Sequence, residues 1–258
     1  MTSQYGQDRF VLRALNGMRG GFFLDSGASD GVVVSNTRVL ERAFGWTGIC
    51  VEPNASLYAE LVANRRCHCV NCCLYERDDE VEFVEAGTIG GILDEYHPAL
   101  LDRARSLLGA TPGGPPPTVR KPARTVRSVL REYGAPPVID YWSLDTEGSE
   151  LTILRSFPFD EYTVRVLTVE HNWLPARALV RRFLEARGFR WAGALGCDDC
   201  YVSDRPGSVR PGDGLGVDGL GVDGFGVDGF GSGGTGFGGF HGDGAVGGAW
   251  RSPVWHRR

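Results

Sequence analysis

No stretch of about 18 uncharged apolar residues, the length that crosses a bilayer, occurs anywhere in this sequence of 258 residues. Its opening, MTSQYGQDRF, has neither the basic leader nor the apolar run of a secretory signal. These absences give the expectation of a soluble, cytoplasmic chain without a membrane partner. Positive charge is not in excess either. The 27 Lys and Arg stand against 32 Asp and Glu, a formal net of -5, which excludes a generally basic nucleic-acid binder.

What is present is the composition of a globular chain, 42% hydrophobic and 23% charged. Glycine is the exception: there are 38, and 19 of them fall between positions 207 and 248. From Leu215 the sequence repeats LGVDG, LGVDG, FGVDG, FGSGG, and glycine at that density costs more conformational entropy than so little apolar area returns. The chain is therefore expected to divide into a folded domain, residues 1–204, and a disordered glycine-rich tail, residues 205–258. A calcium-binding roll is set aside because those repeats are nonapeptides. Seven cysteines, an odd count without a signal peptide, are expected as reduced thiols.

From residue 21 onward buried strands alternate with helical periods, which predicts an α/β fold with a Rossmann-like, mostly parallel sheet and helices on both faces. Residues 21–25 (GFFLD) read as a buried strand. Ser35 is placed to cap a helix that reaches about Phe44 and stops at Gly45. A second strand covers 49–52, a helix opens at Pro53 and Asn54, and residues 67–74 and 81–84 read as the third and fourth strands. The proline-rich stretch 112–117 is a loop. A helix at 125–133, a strand at 138–144, a helix at 149–156, a strand at 164–169 and a helix at 176–187 follow. The domain closes on an antiparallel hairpin, 189–195 with 201–203, around the tip GCDDC.

The segment FLDSGASDG carries the first strand into a glycine loop, where nucleotide-like ligands sit in open α/β sheets. A dinucleotide fingerprint needs a second glycine where Ser29 stands. Asp25 at the strand end suits instead a ligand with a cationic amino group. Glu52 lies 21 residues after Gly31, near the spacing of about 20 at which an acid accepts both ribose hydroxyls. Together the two acids describe an adenosyl ligand with a positive amino-acid arm, the form of S-adenosylmethionine. Either acid alone is more often a cap of its own loop than a cofactor ligand, and it is the joint spacing that reverses this.

The motifs YGQDRFVLRAL, GGFFLDSGASDG followed by SNTRVLE, GWTGICVEPN, IDYWSLDTEGSELTILRSF and VRVLTVEHN occur in that order over roughly residues 5–203. In this the sequence resembles the FkbM-type methyltransferases, class I enzymes that use S-adenosylmethionine. The resemblance implies methylation of a hydroxyl on a sugar, polyketide or similar small acceptor. Ser26 and Ser29 stand where that family more often has an apolar residue and a glycine. On this reading Asp25, Gly27, Gly31 and Glu52 hold the methionine arm and ribose, and Asn71 or Cys72 lies beside the adenine.

The strand at 138–144 delivers DTEGSE, three carboxylates in one strand-to-helix turn at the edge that faces ligands. Asp145 or Glu147 is expected near the methyl group or its acceptor and Glu150 on helix amides, with capping by all three as the alternative. His171, in EHN after the strand at 164–169, is the candidate base for the acceptor hydroxyl, with Asp145 as its rival and a plain structural role as the other reading. GGILDEYHP and the helix after it resemble a lid over the acceptor, and read equally as an ordinary amphipathic helix. CHCVNCC and CDDC hold enough thiolates for a zinc ion. Yet Cys67 and Cys69 share one strand face, and buried free cysteine behaves as a small hydrophobe, so no metal is expected. A scaffold protein with a vestigial cofactor site and a zinc module remain the alternatives to an enzyme. The residues carry no signal of oligomeric state.

Overall fold

Residues 3–204 of the computed structural model are described, and the expected glycine-rich tail lies outside them. In chain order the elements are α1 (Gln7–Ala14), β1 (Phe22–Ser26), α2 (Arg38–Phe44), β2 (Thr47–Val51), α3 (Ala55–Asn64), β3 (His68–Val70), β4 (Cys73–Leu74), β5 (Asp79–Val84) and β6 (Gly91–Ile92). Then come α4 (Pro98–Leu107), β7 (Val119–Arg124), α5 (Val126–Glu132), β8 (Val138–Leu144), α6 (Glu150–Ser156), β9 (Thr163–Glu170), α7 (Ala176–Glu185), β10 (Phe189–Leu195) and β11 (Asp198–Ser203).

Seven strands form the main sheet in the order β10-β11-β9-β8-β1-β2-β3. The five from β9 to β3 are parallel, and β11 runs against both of its neighbours, β9 and β10. Alternation along each strand sends side chains to two cores. Phe23, Cys50, Tyr141 and Val166 meet Val11 of α1, Leu40 of α2 and Leu61 of α3 on one face. Leu24, Ile49, Trp142 and Leu167 meet Leu130 of α5, Leu154 of α6 and Leu184 of α7 on the other. Both faces are thus covered by helices, as a buried parallel sheet requires.

Several elements differ from the sequence expectation. Residues 67–74 are not one strand: β3 stays in the main sheet, whereas β4 pairs with β7 in a second sheet of order β4-β7-β5-β6. The break falls at Asn71, whose side-chain amide donates to the carbonyls of Glu52 (2.8 Å) and Pro53 (3.2 Å). β7 lies in a segment for which no element was expected and contains Pro122, but β4 pairs only with Ala123 and Arg124, so the missing N–H of Pro122 on that side costs no ladder bond. Helix α2 begins three residues after Ser35, whose hydroxyl accepts from the amides of Thr37 (3.4 Å) and Arg38 (3.2 Å). The hairpin turns on Gly196 and Cys197 alone, and Asp198 and Asp199 belong to β11 as buried residues.

Gly27 adopts φ +82°, and a Cβ there would overlap the carbonyl oxygen of Asp145. Gly27→Ala should therefore cost about 2 to 5 kcal/mol from strain and overpacking together. Gly17, with φ +67° and nothing near a built Cβ, should lose only about 1 to 2 kcal/mol as alanine. Urea unfolding of the two variants checks this, and equal losses would remove the contact from the account.

Candidate functional site

A cavity of about 510 Å³ opens beyond the carboxyl ends of β1, β2, β8 and β9, within the roughly 300 to 1,000 Å³ typical of small-molecule sites. The loops after those four strands form its floor, and Phe83 and Ile92 of the second sheet with Leu100 and Arg103 of α4 form one wall. The segment that resembled a lid does therefore border the cavity. Tyr5, Val33, Val34 and Trp173, all exposed apolar side chains, stand around it.

At one end lies Glu52, just past β2. Its two carboxylate oxygens accept from the amides of Ser29 (2.8 Å) and Asn54 (2.8 Å). Burial, assisted by the charge of Asp25 and opposed by those amides, raises its pKa to about 7. Asp25, on the neighbouring strand tip, lines the same cavity. Its carboxylate is already engaged, accepting from the Thr37 hydroxyl at 2.5 Å and standing 4.0 Å from the buried guanidinium of Arg65. Burial outweighs both partners and raises its pKa to about 6. Arg65 also donates to Glu41 and to Thr37 (2.9 Å), so it ties the glycine loop to α2 and α3.

Three expected site residues are placed elsewhere. Gly31 does not border the cavity: a Cβ there would stand 2.6 Å from Leu61 and 2.7 Å from Arg65, so its glycine serves packing. Asn71 is outside as well, spent on the carbonyls that shape the Glu52 loop. His171 is the third. Gly27, Cys72 and Asp145 join Asp25 and Glu52 in the cavity. Sequence reasoning missed Asn36, inside SNTRVLE. Its side-chain amide donates to Ser143 (2.9 Å), and its Oδ1 is buried without a partner in the cavity lining.

At the other end, oxygens of Asp145, Glu147 and Glu170 lie within 4.8 Å of one another. Asn172 donates to Glu170 (2.7 Å) and Glu147 (3.2 Å), and Gln7 of α1 donates to nearby Asp198 (2.7 Å). Glu150 accepts from the amides of Thr146 and Gly148, the helix-end role expected of it. Burial first, and then the charge of Glu150, raise the Glu147 pKa to about 7. Asp145 and Glu170 are pushed far above the ordinary carboxylate range by burial and by the neighbouring negative charges, and they hydrogen-bond to each other. Such a group holds shared protons at neutral pH. Its hard oxygens are also the donor type that Mg²⁺ or Ca²⁺ takes.

A family model described as the methyltransferase FkbM domain matches residues 25–191, more than half of the chain. The chain belongs to the FkbM methyltransferase family. A search of curated proteins found no match.

In this FkbM domain His171 lines a second, smaller cavity and not the first, although its neighbour Glu170 borders both. The left-handed turn at Asn172 and Trp173 brings the Trp173 amide to within 3.0 Å of His171 Nδ1, which accepts from it. Burial, and then the nearby Arg177, lower the His171 pKa. The neutral ring therefore carries its proton on Nε2 and has no free lone pair, which corrects the expectation of a histidine base. Among the described residues, the candidate metal ligands brought together are the carboxylates Asp145, Glu147 and Glu170, and the seven cysteines form no disulfide. Among the described residues no helix is long and apolar enough to cross a membrane.

Glu147 titrates near 7 in the fold against 4.5 ordinarily, so its ionisation opposes folding as pH rises through that interval. Glu147→Gln should raise the thermal midpoint at pH 8 and leave it nearly unchanged at pH 5. A scan from pH 5 to 8 reads this directly, and a variant curve parallel to the wild type would refute the shift.

Proposed function

We propose that the protein is an S-adenosylmethionine-dependent O-methyltransferase for a small hydroxylated acceptor, working in the cytoplasm without nucleic-acid or membrane partners. The observation that carries this is the pairing of Asp25 and Glu52 on adjacent parallel strand tips at one cavity, with the Asp145, Glu147 and Glu170 carboxylates at its far end.

The residues fit the cofactor. Each Glu52 oxygen uses one lone pair on a backbone amide and keeps another for a ribose hydroxyl. Asn36 Oδ1 is an acceptor without a donor, suited to the ammonium of the methionine arm. Cys72 and Phe83 give the cavity apolar surface for a purine. Bound there, the cofactor supplies an electrophilic methyl group on a sulfonium.

The chain contributes alignment and charge. Alignment of two reactants supplies about 7 to 11 kcal/mol of a displacement barrier. The attacking hydroxyl oxygen gains positive charge, which the acid cluster favours. Its proton passes to the carboxylate of the Asp145–Glu170 pair that does not hold the shared proton. Six carboxylates line the cavity (Asp25, Glu52, Asp145, Glu147, Glu170 and Asp198) against the one guanidinium of Arg103. This balance favours neutral or cationic acceptors over phosphorylated ones.

Calorimetric titration with S-adenosylhomocysteine tests the reading. Wild type should bind, and Glu52→Ala should bind roughly tenfold or more weakly, about 1.4 kcal/mol. No heat at millimolar ligand would favour the scaffold alternative.

A further inference from the structure

Between α6 and α7, beneath the turn at residues 95–98, lies the second cavity, about 240 Å³. Glu170 and Asn172 border both cavities, so the two are neighbours across one polar partition. Its walls are largely apolar, with Tyr96, Leu151, Val169 and Val180 among them. An apolar cavity of about 150 Å³ already admits benzene, so a substituted ring has room here.

The polar side chains that border this cavity have partners, with one exception. Arg177 donates to Asp199 through two bonds of 2.7 and 2.8 Å, and Tyr201 donates to the same carboxylate. Glu95 accepts from Tyr75 (2.9 Å) and Thr152 (3.0 Å). His171, only 7% exposed, has no partner at Nε2. Since Nδ1 accepts from the Trp173 amide, the orphan is an N–H donor, and what it lacks is an acceptor oxygen.

We infer that the second cavity seats an apolar, carbonyl-bearing portion of the methyl acceptor, whose oxygen accepts from His171 Nε2–H. The acceptor's hydroxyl then reaches past Glu170 and Asn172 into the first cavity. The word acceptor rests on the proposed methyltransferase function, whereas the ligand chemistry of the cavity does not. His171 is on this account a binding residue that fixes the acceptor's orientation.

The test uses the full chain labelled with ¹⁵N and acetophenone as the probe. A two-bond ¹H–¹⁵N spectrum should show His171 as the Nε2–H tautomer. Millimolar acetophenone should shift the His171 ring and Val180 methyl signals saturably. Val180→Phe should abolish the His171 ring shift and leave S-adenosylhomocysteine affinity unchanged, because Val180 is not in the first cavity. An Nδ1–H tautomer, unshifted His171 and Val180 signals, or a His171 shift that survives Val180→Phe would each overturn the inference. The wild-type tautomer and titration decide the matter even if the variant does not fold. S-adenosylhomocysteine titrated into the same sample separates the two claims. Its binding without an acetophenone response refutes the second site alone, and an acetophenone response without its binding refutes the assignment to a methyl acceptor.

Discussion

Two loops touch because position 27 has no side chain. The carbonyl of Asp145 occupies the space where a Cβ would be, and its amide donates to Ser26 at 3.0 Å. On the other face Ser26 accepts from the Trp142 indole at 2.9 Å, which gives a physical reason for a hydroxyl at a buried strand end. These contacts hold the tip of β1 against the tip of β8. The glycine loop and the DTEGSE turn thereby become parts of one wall, and every later feature of the site depends on that closeness.

The same closeness concentrates negative charge. Parallel strands all end at one edge, and four of those ends carry acids into a single cavity. The protein meets the cost of burying them in different ways. Arg65 and Thr37 serve Asp25, backbone amides serve Glu52 and Glu150, and Asn172 with shared protons serves the far cluster. Carboxylates held above their ordinary pKa are less stable ionised than they would be in water. A ligand that brings positive charge relieves this, and so clusters of raised pKa mark functional sites.

Much of the fold was legible. GFFLD and IDYWSL each place large apolar residues next to one another, Phe22-Phe23-Leu24 and Tyr141-Trp142, which a sheet buried on both faces accommodates. Local pattern failed where a contact distant in sequence decided the outcome. Residues 67–74 look like one strand until Asn71 bonds to the loop after β2. β7, after the proline-rich loop, carries Pro122 and shows no strand pattern of its own until β5 pairs with it. The aspartates of GCDDC look like a solvated tip until Arg177 and Gln7 reach them. Asp25, Gly27, Glu52, Cys72 and Asp145, chosen for their positions after strands, line one cavity, as the topology of a parallel sheet leads one to expect. Gly31, Asn71 and His171 lie outside that lining, because spacing does not reveal which neighbour a side chain meets.

The sequence by itself determined the alternation of strands and helices, the tight glycine turn and the placing of acids at strand ends. Each of these depends on residues a few positions apart. Only the tertiary structure decided that Asp25 faces Arg65, that Asn36 is left with a free acceptor, and that His171 turns away from the acids with its proton on Nε2. Those outcomes depend on packing between segments separated by tens of residues or on one backbone turn, and neither leaves a periodic trace in the chain.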